Sequence, residues 1–201
     1  MPRDATDTRE RLIRSAERLF ASHGTWQVSV REITHAAGQR NASVIHYHFG
    51  SIDGLREVIL GRHGEPLDAA RAVYLGALGH DPSTAELVDA LVVPYSGALA
   101  TPHGRDYLRI VAQYTGFFSN WESMAGGHSR HVVEILRALR DRQVHLSPEI
   151  REQRIVGVVI LISGAMGERA KAIEHGRDAA LDDDRFRASL ASMIVAALEA
   201  P

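Results

Sequence analysis

A chain of 201 residues, 45% hydrophobic and 24% charged, is long enough to bury a real core and suits one or two small domains. It holds no cysteine, which removes disulfides and thiolate chemistry, and its net charge of −2 gives no general sign of nucleic acid. The N-terminus MPRDATDTRE lacks an apolar signal core, and the longest strongly apolar run, Val156 to Ala165, is broken by Gly157, Ser163 and Gly164. Neither a signal peptide nor a membrane span is therefore expected, and the expected compartment is the cytoplasm.

The charge is unevenly spread. Residues 1–63 carry a net +2 and residues 64–201 a net −4, and five of the eleven histidines fall in the first segment. A solvated face of mixed charges gives the same asymmetry. Lys171 is the one lysine beside 22 arginines; arginine is also the better bidentate ligand for phosphate and guanine.

In chain order, Asp7 and Glu10 have the spacing of a capping box, and Leu12, Ile13, Ala16, Leu19 and Phe20 follow at helical spacing before Gly24 closes the helix. Arg3, Arg9 and Arg11 sit at its start, either reaching phosphates or simply solvated. Ser29 and Glu32 form another capping box, Ile33, Ala36 and Ala37 give the next helix an apolar side, and Gly38 ends it. Asn41 is a good cap for a third helix, in which Ile45 and Phe49 are four apart and point inward. Ser43 and Tyr47 fall on the opposite side, flanked by Val44 and His46, so the outward face is polar and aromatic with no acid, as a helix entering a DNA groove requires.

The string from Ser29-Val-Arg-Glu-Ile through Gly38 to Tyr47-His-Phe-Gly-Ser51 resembles the N-terminal domain of the tetracycline-repressor (TetR) family, over about the first 60 residues. The resemblance implies a homodimeric transcriptional regulator, usually a repressor, released from its operator by a small molecule. The implied architecture is all-α: an N-terminal three-helix helix-turn-helix DNA-binding domain, residues 1–63, plus a C-terminal helical ligand-binding and dimerisation domain, residues 64–201. Carried onto this chain, it makes Arg31 a base or phosphate contact and Tyr47 and His48 phosphate contacts; Ser43 and His46 are the candidates for base edges, and Val44 for a thymine methyl. Asn41 and Ser51 complete the DNA-facing set. A surface arginine paired with an acid is the alternative for Arg31, and a partly buried histidine the alternative for His48. The chain departs from the family in two places. The turn Gly38-Gln39-Arg40-Asn41 is one residue longer, and Ile52-Asp53 stands where a phosphate-contacting lysine is usual, which removes one backbone contact.

Ser51 caps a fourth helix over about 52–62, the link between reading head and body, and Gly61, Gly64 and Pro66 mark the start of the second domain. Beyond it the pattern predicts helices over about 66–78, 83–100, 104–120, 128–144, 148–175 and 183–199, with breaks that include Gly126-Gly127 and the loop from Gly176 to Asp184. Tyr107, Tyr114, Phe118 and Trp121 recur on one stripe, with Phe117 beside them and Met124 beyond. Such a stripe is ordinarily core, but buried tyrosine hydroxyls need partners, and Pro94 should kink the helix beside Tyr95. A cavity lined by Tyr95, Tyr107, Gln113, Tyr114, Phe118 and Trp121 is thus expected to take a small apolar or amphipathic effector.

Ser147 and Pro148 open a long helix, about 40 Å if continuous, and the last helix repeats apolar residues from Phe186 to Leu198. A dimer interface through Ile155, Val159, Met166, Phe186, Leu190 and Ile194, forming a four-helix bundle, is expected, against the alternative that these stripes face the chain's own core. His128 and His131 lack a third metal ligand, and Gly127-His-Ser129-Arg-His131 is one glycine short of a nucleophile elbow and has no strand before it. No catalytic residue, metal or cofactor is therefore expected. The rival reading is a helical small-molecule-binding protein or enzyme that does not use its N-terminal domain on DNA.

Overall fold

The computed structural model describes residues 2–125, 128–177 and 181–201, without the side chains of residues 2–5, 124 and 125. The described residues are helical throughout and contain no strand: α1 (Pro2–His23), α2 (Val30–Ala36), α3 (Ser43–Phe49), α4 (Ile52–Gly76), α5 (Thr84–Ser96), α6 (Pro102–Val111), α7 (Arg130–Asp141), α8 (Pro148–Glu174) and α9 (Asp183–Glu199), with 3-10 segments at Gly97–Ala100 and Ala112–Ala125. The side chains of Arg3 and Met124, the Gly126-Gly127 break and part of the Gly176 to Asp184 loop lie outside the described residues.

Polar signals fix most helix ends. The Ser29 hydroxyl accepts from the Glu32 N–H while the Glu32 carboxylate accepts from the Ser29 N–H, and Ser83 with Glu86 does the same for α5. At the end of α2 the Gly38 N–H bonds to the His35 carbonyl and the Gln39 N–H to that of Thr34, a Schellman pair that Gly38 permits by taking φ +70°. The Asp7–Glu10 box, in contrast, caps nothing, because α1 already runs from Pro2. Glu10 instead binds Arg62 through both oxygens, at 2.8 and 2.9 Å, and Arg14 at 2.8 Å, joining α1 to α4. The Arg62 guanidinium, helped by Arg14, holds the Glu10 carboxyl down to about 2.

The expected break near Pro66 is absent. α4 continues for 25 residues with Pro66 inside it. Pro66 removes one helical bond, but both halves are held by packing: Leu55 and Ile59 in the head core, Leu60 and Leu67 against the body core. A Cβ on Gly64 would lie 3.0 to 3.1 Å from His128, so this helix also lies close against the segment leading into α7. The predicted helix 104–120 is likewise two elements. Tyr114 and Asn120 leave helical geometry, and Thr115, Gly116, Ser119 and Asn120 between α6 and Trp121 are weak helix formers.

Two apolar cores result. Leu12, Ile13, Phe20, Ile33, Ile45 and Leu55 centre the first; α5 to α9 build the second, and Ile110 of α6 reaches into the first core. The body core corrects the expected dimer face. Ile155, Met166 and Ile194 are fully covered by their own chain, as are nearly all of Leu190 and Val159, while Phe186 is partly covered beneath the Arg169 guanidinium. The repeat that marks these residues is the one that turns α8 and α9 inward. Left outside are Ile160 and Met193, with Gly157 and Gly164 on open surface. Gly167 faces inward, where a Cβ would come 2.6 Å from that of Ala112, so α8 approaches the end of α6 closely.

Candidate nucleic-acid interface and ligand cavity

α3 has seven residues and no side-chain cap of its own, because Ala42 occupies the cap position and Asn41 stands one residue earlier, its Oδ1 accepting from the Ser43 N–H at 2.9 Å. The helix is therefore fixed mainly from beneath. Ile45 is 1% exposed in the head core, Val44 and Phe49 pack at its edge, and the Arg9 guanidinium lies 5.2 Å from the Phe49 ring centre. On the outer side Ser43, His46 and Tyr47 stand in solvent, with Tyr47 81% exposed. His48 is half-buried, its ring 4.9 Å from that of Tyr47 and edge-on.

The His46 Nδ1 faces the Gly50 carbonyl and donates to it, so in the neutral ring Nε2 points outward as an acceptor. That suits the amino donors of adenine or cytosine in a major groove. Arg31 is exposed on α2, and its guanidinium has no hydrogen-bonding partner among the described residues. Ser51 caps α4, accepting from the Gly54 N–H at 3.0 Å, with its own hydroxyl proton still free to donate.

The aromatic stripe does not line one space. Tyr95, Tyr107 and Phe118, joined by Arg71, Leu91 and Ser163, border an inner cavity of about 80 Å³. A wider cleft of about 440 Å³ shares Tyr107, Val111, Phe118, His128 and Ser129 with it and adds Tyr114, Phe117, Trp26 and Arg56. Two expected wall residues belong elsewhere. Trp121 is 1% exposed in the core, donating from Nε1 to Glu152 at 3.1 Å. The Gln113 side chain accepts from the Thr25 N–H at 2.6 Å and donates to the Phe20 carbonyl at 3.0 Å, tying the end of α1 to the body. The change from α to 3-10 winding at residue 112 swings these positions off the stripe.

Burial raises the Tyr107 and Tyr114 hydroxyls to about 12 and raises Tyr95 as well, so all three are neutral donors at physiological pH. The residues missed from the sequence are Arg71, Ser163, Trp26 and Arg56, which only the tertiary fold brings to these walls. Among the described residues no hydrogen bond joins Ser129 to His128 beside the cavity. His131 is held by Asp68, its N–H and Nδ1 bonding to that carboxylate at 3.0 and 2.8 Å, and among the described residues no group of three metal-ligating side chains occurs. The arrangement can bind and orient a small molecule.

Arg56 links cleft and head. Its Nη2 donates to the Thr25 carbonyl at 2.9 Å, Nη1 pairs with Asp53, and the guanidinium lies 4.5 Å from the Trp26 ring centre. Arg56→Ala is expected to cost about 2–3 kcal/mol, since a charged hydrogen bond and a largely desolvated cation–π contact go together. Urea denaturation read by Trp26 and Trp121 fluorescence measures this.

The described residues thus combine a helix-turn-helix head with an all-helical body. Residues 12–59 match the family model of bacterial regulatory proteins, tetR family. The fold is similar to that of a putative TetR-family transcriptional regulator from Rhodococcus sp., at 15% identity, covering 96% of this chain and 99% of that one, with a TM-score of 0.58. It is also similar to that of a putative tetR family transcription regulator from Shewanella sp. PV-4, at 15% identity, 94% and 97% coverage and a TM-score of 0.61. A transcriptional regulator from Rhodococcus sp. Rha1 aligns at 16% identity over 92% and 93% of the chains, with a TM-score of 0.55. No curated protein matches the chain. The family match covers residues 12–59, and the likeness to the solved structures extends over the fold of nearly the whole chain.

Proposed function

We propose that the protein is a DNA-binding transcriptional regulator, a repressor rather than an enzyme, acting as a homodimer on a roughly palindromic operator in the cytoplasm and released by a small-molecule effector. The observation that carries this is the outer ridge of α3: Ser43, His46 and Tyr47 exposed on a helix anchored from below by Ile45. Residues 1–63 serve as reading head and 64–201 as body, with the continuous α4 as the lever between them. Two α3 helices entering successive major grooves must stand about 34–36 Å apart. The outer face of α8 and α9, with Ile160, Met193, Gly157 and Gly164, supports a partner subunit there, since exposed apolar side chains alternate with positions open to close approach. An effector in the cleft touches Arg56 and Trp26 on the head side and Tyr107 and Phe118 on the body side, so it favours whichever tilt of α4 it fits.

An electrophoretic shift with DNA from upstream of the protein's own gene tests this. The expected result is a discrete complex that survives excess nonspecific DNA, weakens steeply with salt, and is lost or at least tenfold weaker in Arg31→Ala. Retention that competitor removes completely would count against the regulator reading and leave a small-molecule-binding protein.

A further inference from the structure

Arg71 lies on the inner side of α4, 6% exposed, on the wall of the 80 Å³ cavity. Its Nε has no hydrogen-bond partner, and no ion pair to the guanidinium forms among the described residues. Asp68, one turn earlier, acts on the guanidinium through its charge but forms no ion pair with it, and both its oxygens accept from the His131 N–H and Nδ1. The rest of the cavity wall brings no Asp or Glu. What faces Arg71 is the Tyr95 ring, 5.9 Å from the guanidinium carbon. The Tyr95 hydroxyl is itself buried, turned toward Ser163, and forms no hydrogen bond of normal geometry. A guanidinium removed from water with no carboxylate hydrogen-bonded to it is costly, and a directly bonded anion would offset that cost.

We propose that this cavity takes the carboxylate of a small apolar acid, with Arg71 as its bidentate partner and the Tyr95 hydroxyl as a further donor. The planar fork of arginine matches a carboxylate with two parallel bonds, and the enclosed site strengthens them. A single buried cation balances a monoanion and leaves a phosphate dianion half uncompensated. The space is smaller than the roughly 150 Å³ apolar cavity that takes up benzene. Only the head group fits inside, and the apolar body of the acid extends past Val111 and Phe118 into the 440 Å³ cleft, where it meets Trp26 and Arg56. The effector is thereby assigned a class, an apolar monocarboxylate, which rests on the body being the effector-binding part.

The test uses thermal unfolding of the full chain with butanoate to decanoate and 3-phenylpropanoate, each beside its neutral amide. At 100 times its Kd an acid is expected to raise the Tm by about 5 °C or more, and its amide by far less. Arg71→Met is expected to melt at or above the wild-type temperature without ligand, because it removes a buried charge that has no hydrogen-bonded partner, and to show no response to acids. Tyr95→Phe keeps the ring and is expected to bind the acid about tenfold more weakly with an unchanged Tm. Amides that stabilise as well as acids, acids that do nothing, or an Arg71→Met variant that melts lower would each overturn the inference. A chain that still shifts operator DNA but takes no acid defeats this inference alone. One that takes the acid but holds no DNA defeats the regulator reading alone.

Discussion

Ile45→Asp is expected to abolish operator binding by dismantling the reading head, whereas Tyr47→Ala, two residues on, is expected to weaken it at least tenfold with the fold intact. The two side chains sit on opposite faces of a helix of seven residues, one 1% and the other 81% exposed. So short a helix has no independent stability, and α3 lacks a side-chain cap of its own. Its position depends on Ile45 packing among Leu12, Ile33 and Leu55. An aspartate there loses about 2–3 kcal/mol of apolar burial and adds the cost of desolvating a carboxylate that has no cation beside it, several kcal/mol more. The carboxyl escapes part of that cost by staying neutral, so its folded pKa is raised above the unfolded value. The penalty is then smallest below the unfolded pKa and grows as pH rises through it, and the Ile45→Asp head should partly recover in mild acid. Calorimetry and far-UV circular dichroism of both variants beside the gel shift separate fold from contact. An Ile45→Asp protein that melts like wild type would show that α3 is not held from beneath by Ile45.

The reading head was legible because its signals are local. Ser29 and Glu32, Gly38, and the Ile45–Phe49 spacing each act within a few residues of chain, and the structure uses every one. Where a local signal competed with packing, packing prevailed: the Asp7–Glu10 spacing lies inside α1, and Pro66 lies inside α4. Periodicity identified the inward stripes of α8 and α9 but could not say inward to what. Ile155, Met166 and Ile194 pack on their own chain, and the exposed Ile160 and Met193 carry the same apolar label. Arg71 was invisible for a different reason. In Leu67-Asp-Ala-Ala-Arg71 it reads as a solvated helical arginine, and only the approach of α5, α6 and α8 encloses it against Tyr95 and Ser163.

Trp121 shows how a functional expectation turns into a structural one, and its removal is the larger stability change expected in the body. Its ring is 1% exposed, its Nε1 donates to Glu152, and the Arg140 guanidinium lies 5.5 Å from the ring centre. Arg140 also pairs with Glu152 at 3.0 Å and Glu122 at 2.8 Å, so the indole joins the 3-10 segment to α7 and α8. Trp121→Ala opens a cavity in the second core and frees Glu152 from one donor, and is expected to cost about 3–5 kcal/mol. Trp121→Phe keeps most of the packing and should lose only about 1–3 kcal/mol, the worth of a hydrogen bond to a charged acceptor plus some ring volume. Denaturant unfolding gives both values. The same two variants measured for effector binding decide the role, because Trp121 borders neither the inner cavity nor the cleft. Ligand affinity in Trp121→Phe should stay within about twofold of wild type. A tenfold loss there with stability unchanged would return Trp121 to the ligand site.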